Sequence, residues 1–158
     1  MPTFYFTLTH PESKIVVQNI IRECQLSLEA KCLGLEDTEG FSQNSISKNI
    51  SLCDALIIVI KMTAPTTEWQ TVPAEDSILS ERIRLEIVSA INHNLMIIPF
   101  LFDGTVLPER ENLEGALKNL CDCKSYTLRS AFLQEDLEEA LEDIEEELNF
   151  KKEVEEKM

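Results

Sequence analysis

Glycine is scarce, with four residues in 158, and no Gly-x-Gly-x-x-Gly or P-loop pattern occurs. Both motifs need glycine where the backbone closes on a phosphate, so a Rossmann dinucleotide mode and nucleoside triphosphate binding are unsupported. Histidine is scarcer still. His10 and His93 are the two candidates for a general base, and no nucleophile elbow accompanies them, so Ser/His/Asp hydrolysis lacks its parts. His93 closes a predicted helix and reads as a capping or surface residue. The five cysteines, Cys24, Cys32, Cys53, Cys121 and Cys123, are odd in number and lack zinc spacing. Cys121-Asp-Cys123 alone is a weak signal, no metal is expected, and the thiols read as small core residues. No apolar run approaches the ~20 residues that span a bilayer. The opening Met-Pro-Thr-Phe-Tyr-Phe-Thr lacks a basic n-region and a small-residue cleavage site. A cytoplasmic protein without a membrane partner is expected. Net positive charge is absent too: 29 acidic residues against 14 basic give −15, a surface that repels nucleic acid.

What is present suits one soluble domain. A chain of 158 residues, 44% hydrophobic, buries a sizeable core without staples. The charge is uneven: Gln134 to Met158 carries 12 acidic and 3 basic residues, net −9, leaving −6 for residues 1 to 133. A solvated helix face accounts for that concentration. Residues 1–150 read as the domain and 151–158 as a charged tail that frays.

Taken in order, Thr3 to Thr9 reads as a strand rich in aromatic and β-branched residues. Pro11 ends it. Ile15 to Leu28 is a helix with Ile15/Val16, Ile20 and Cys24 on one side, and Ala30 to Leu35 a short second strand. The polar turn Glu36 to Gly40 leads to a weaker helix over Phe41 to Cys53. Asp54 to Ile60 is the strongest strand of the first half. Met62 to Ser77, with Pro65, Trp69 and Pro73, forms a long connection of the kind that often carries function.

The stretch from Glu81 to Phe102 organises the rest. Leu79, Ile83, Ile87 and Ile91 recur every fourth residue and predict one apolar stripe on a helix. Asn92-His-Asn94 stops it. Leu95 to Phe102 is then almost continuously apolar, as in a strand covered on both faces. A short helix follows within Leu107 to Leu120, then a fifth strand over Lys124 to Leu128. The last helix starts near Phe132 and places Leu133, Leu137, Leu141, Ile144 and Leu148 at steps of four and three. Strands alternating with helices imply a parallel sheet covered on both sides, and right-handed crossovers favour the flavodoxin-like strand order 2-1-3-4-5. Its ligand crevice lies beyond the strand carboxyl ends, where the order reverses between strands one and three. Thr7 to His10, Lys61 to Thr63 and the long connection surround that crevice.

Several chemistries fail there. A phosphoacceptor receiver needs aspartates ending strands one and three, and Leu8-Thr-His10 and Ile60-Lys-Met62 supply none. Thr7 to Ser13 offers hydroxyls but no glycine for a flavin phosphate loop. Glu86 remains. Its helical neighbours Ile83 and Ala90 place it at the border of core and surface, where a carboxylate is open to a functional environment. The plain alternative is a surface pair with Arg82 one turn earlier. A glutamate beside a ribose stabilises the oxocarbenium character that develops as an N-glycosidic bond breaks, and nicotinamide is a good leaving group because its ring nitrogen becomes neutral.

The ordered motifs resemble the bacterial branch of the Toll/interleukin-1 receptor homology (TIR) domains. Phe4-Tyr-Phe-Thr-Leu-Thr-His10 resembles the family's first strand, and Asp37-Thr-Glu-Gly-Phe41 its BB loop. Ser47 to Ile60 is similar to its cysteine-aspartate-apolar passage. Arg84-Leu-Glu-Ile-Val-Ser-Ala-Ile91, then Ile97-Ile-Pro-Phe-Leu-Phe102 and Leu107-Pro108, resembles its strongest block. Phe132-Leu-x-x-Asp-Leu137 also fits, so the resemblance runs over residues 4 to 148. It implies a flavodoxin-like α/β sandwich and, as in several bacterial members, hydrolysis or cyclisation of NAD as substrate, in signalling or defence, with no bound cofactor. Glu86 occupies the position of the catalytic glutamate. Thr7 replaces the usual serine and, with Leu8 and Thr9, ends the strand against the nucleotide. Asp37 to Phe41 shapes the mouth or meets a neighbouring subunit. Ile83 stands near the glutamate where the family often has an aromatic; Trp69, far upstream, either stacks on nicotinamide or folds over the core as a loop aromatic. Self-association with other TIR domains or as a homo-oligomer is implied. Two other readings stand beside this one: a non-catalytic TIR assembly module, and a nucleoside deoxyribosyltransferase-like enzyme on the same fold.

Overall fold

The computed structural model describes residues 2–8, 14–33, 43–60, 77–102 and 122–156, with backbone alone for 8, 14–16, 43–46, 77–84 and 155–156. Among these, β1 (Thr3–Leu8), α1 (Lys14–Leu28), β2 (Lys31–Leu33), α2 (Gln43–Ser51) and β3 (Ala55–Ile60) form the first half. α3 (Ser77–Asn92), β4 (Met96–Phe102), β5 (Tyr126–Leu128), a 3-10 turn (Ser130–Phe132) and α4 (Leu133–Glu156) form the second. All four strand pairings are parallel, in the order β2-β1-β3-β4-β5 that the alternation of strands and helices predicts. The short helix expected within 107–120 lies outside the described residues.

The middle strands explain the order. Every residue of β3 is buried, because Ala55-Leu-Ile-Ile-Val-Ile60 offers no polar face for an edge. Pro99, which has no N–H, lies in the part of β4 paired to β3, just before the pairing with β5 begins at Phe100. Alternation divides the core in two. Phe4, Phe6, Ile57, Val59, Ile98, Phe100 and Phe102 meet α1 and α4 through Val17, Ile20, Cys24, Leu137, Leu141, Ile144 and Leu148. Tyr5, Leu56, Ile58, Ile60 and Leu101 meet α2 and α3 through Ile50, Ile87 and Ala90.

Three features differ from expectation. The inward arc of α3 is Glu86, Ile87, Ser89 and Ala90, while Ile91 is 45% exposed and leaves the expected stripe. β5 is trimmed to Tyr126–Leu128, since only residues with a partner in β4 join the ladder, and β2 begins at Lys31, the end expected at Leu35 lying outside the described residues. α4 runs on to Glu156 where a fraying tail is expected from 151. Lys151 donates to the backbone carbonyl of Asn94, so this extension is tied to the end of α3.

Candidate functional site

Thr7 is the penultimate residue of β1 and pairs with Ile58 of β3, at the carboxyl-end side of the two strands between which the order reverses. Pleating puts it on the face of Tyr5, toward α2 and α3. α3 packs on that face, and at ~100° per residue Glu86 and Ala90 fall centrally in its inward arc, with Ser89 and Ile87 on either side. The result is a polar contact across layers: the Thr7 hydroxyl donates to Glu86 Oε1 at 3.0 Å, joining residues 79 apart in sequence. Glu86 has no exposed surface and Thr7 is 6% exposed. The border position expected for Glu86 is therefore corrected to full burial. Sequence periodicity misses this depth because it follows the large apolar residues. The informative signal is the small pair Ser89-Ala90, which is buried on the same arc of the helix as Glu86.

A buried carboxylate held by a hydroxyl has defined chemistry. It stabilises a neighbouring positive charge strongly where water is excluded, and it accepts protons. Of the other sequence candidates, Leu8 closes β1 and Ile83 stands one turn before Glu86 on α3, both on the described backbone. Thr9, Asp37, Phe41 and Trp69 lie outside the described residues. No three metal-ligating side chains gather among the described residues.

Among the described residues, three cysteine thiols are shifted away from reactivity. Burial pushes the Cys53 thiol up to about 12 and the half-buried Cys32 thiol up to about 11, and raises that of Cys24 further. Such thiols stay protonated and are poor nucleophiles. His93 lies just past α3, its Nε2 3.5 Å from the Ser47 hydroxyl, so it serves the α2–α3 junction as the helix-end reading expects. No described helix is long and apolar enough to cross a membrane.

Neither a family model nor a curated protein sequence matches the chain. Its fold does have a solved counterpart, the TIR domains of the activated Roq1 resistosome directly recognising the pathogen effector XopQ. The likeness has a TM-score of 0.59 at 12% identity and covers 91% of this chain and 99% of that one. At that identity the likeness is one of fold: a TIR-like, flavodoxin-type α/β domain.

Proposed function

We propose that this protein is a TIR-like NAD glycohydrolase or cyclase that breaks the nicotinamide–ribose bond, with Glu86 as the group that steadies the ribosyl cation. The observation that carries this reading is the buried Glu86 carboxylate, bonded to Thr7 beside the switch point between β1 and β3. A doubly wound sheet holds its ligand at that point. An anion there favours the transition state over the ground state, because positive charge appears on the ribose only as nicotinamide departs. Thr7, Leu8 and Thr9 of the strand-one end, Ile83, Trp69 and the Asp37 to Phe41 segment are the residues this reading places around the nucleotide. Concentrated protein mixed with NAD should release nicotinamide, and Glu86→Gln, which keeps the shape but removes the charge, should lower the rate by at least ~100-fold. Equal release by the mutant takes Glu86 out of the mechanism.

A second reading, an assembly module acting through TIR–TIR contacts, draws support from the fold neighbour, whose TIR domains belong to an activated resistosome. In that case turnover is absent at every concentration, and changes at Asp37 or Phe41 alter self-association alone.

A further inference from the structure

We propose that the exposed flank of α4 is a docking surface for a basic amphipathic helix of a partner protein, seated on Phe150 and Val154. Leu148 is the last buried residue of α4, yet the helix runs on to Glu156. Lys151 holds this extension against the end of α3 by donating to the Asn94 carbonyl. Phe150 and Val154 stand one turn apart on it, 67% and 42% exposed, and neither belongs to the core. At ~100° per residue they share one arc with Glu139, Asp143, Glu146 and Glu147. Charge selects the occupant. Asp143 and Glu147 are engaged by Lys124. Glu146 and Glu153, one turn either side of Phe150, form no hydrogen bond or ion pair among the described residues. Toward the start of the helix the arc borders a groove of about 360 Å³ against β5, whose lining sets Asp136, Glu139 and Asp143 against Lys124. The apolar stem of a lysine or arginine suits such a groove, with its charge brought to Glu139. A second copy of this chain suits it poorly, because residues 134–158 carry 12 acidic and 3 basic side chains and would face their like. A helix with apolar residues at i and i+4, and lysine or arginine beside them, matches both the apolar pair and the acids. From Glu139 to Val154 the arc runs ~22 Å, the length of about 15 helical residues.

The test uses the full chain and a fluorescein-labelled peptide of about 16 residues built from leucine, lysine and alanine, followed by anisotropy. Leucines at i, i+3, i+4 and i+7 give it one apolar stripe, and a second peptide scrambles the same composition so that no stripe forms. The striped peptide should bind at least ~10-fold tighter than the scrambled one. Phe150→Ala with Val154→Ala should weaken it at least ~10-fold, the size expected for an aromatic anchor. Glu146→Gln with Glu153→Gln should weaken it several-fold at low salt and flatten its salt dependence. All four positions are exposed, so the fold tolerates these changes. Leu26→Ala, at a leucine 72% exposed on α1, should leave the affinity unchanged. Failure of the striped peptide to bind overturns the docking surface. Equal binding by the scrambled peptide, or an equal loss in Leu26→Ala, also overturns it and leaves only adsorption to an acidic surface. Unchanged affinity in the Phe150/Val154 variant overturns it too and confines that pair to the helix itself. Sedimentation without peptide is the last arm. A wild-type dimer that the Phe150/Val154 variant loses makes a second copy the occupant and overturns the basic partner.

Discussion

Two aspartates on α4 tie stability to acid pH. Hydrogen bonds from Arg129 hold Asp136 below the usual carboxylate range, with Nε at 3.0 Å and Nη2 at 2.9 Å, and the Arg129 backbone N–H adds a third bond. Asp143 is lowered in the same way by Lys124, whose Nζ lies 2.5 Å away, and then by the Tyr126 hydroxyl. A depressed folded value means the stabilisation is complete above the unfolded aspartate range, near ~4, and disappears as pH falls through the folded values. The urea midpoint should therefore fall on acidification below about pH 4, and Asp136→Asn should lower it near neutrality while leaving it almost unchanged at about pH 2. A mutant curve parallel to the wild type at all pH values would exclude this coupling. At this scale the sequence was a partial guide. Glu86 stood out because it is charged within an apolar helix, but its depth depends on how closely α3 approaches β1, a tertiary distance that 3.6-residue periodicity does not contain. The Thr7 contact spans 79 residues and has no local signal.

The end of α3 shows how an element boundary is written into residue chemistry. Asn94 has φ of 58°, the left-handed region open to Asn and Gly but costly for β-branched residues. The Leu95 N–H reaches the Ala90 carbonyl at 2.9 Å and the Asn94 N–H reaches that of Ile91 at 3.1 Å, the Schellman arrangement that closes a helix. Asn94→Gly should match or exceed wild-type stability, whereas Asn94→Val should cost about 1–2 kcal/mol in urea unfolding. Equal losses in both variants would place the effect in the side chain, not the backbone. Stop signals of this kind were legible in Asn92-His-Asn94, as were α4, from leucines at steps of four and three, and β3 and β4, from their apolar runs. The face of α3 was not. Large aliphatic residues at every fourth position suggested one stripe, but the position of Ala90 at the sheet decides which side turns in, leaving Val88 and Ile91 outside. β5 is three residues long because ladder partners, not propensity, set an edge strand's length.

At the scale of the whole molecule, alternation of strand and helix was enough to give the sheet order, since right-handed crossovers leave few topologies for a chain of this length. The same topology fixes where a ligand would sit but not the shape of the mouth, which depends on loops without periodicity. Charge, by contrast, acts globally and is read from composition. Two copies that each carry −15 repel, and much of that charge lies along the α4 region. Should assembly complete the site, it must overcome this repulsion, and salt shortens its range from ~10 Å at 0.1 M to ~3 Å at 1 M. Nicotinamide release per protomer at saturating NAD should then rise with protein concentration, and the concentration at half-maximal rate should fall several-fold between ~0.05 and ~0.5 M salt. Saturating substrate matters because NAD is itself anionic, and screening also eases its approach to an acidic surface. That contribution appears in KM, whereas assembly appears in the rate at saturation. A rate per protomer that is flat in both protein and salt would locate the complete site within one chain.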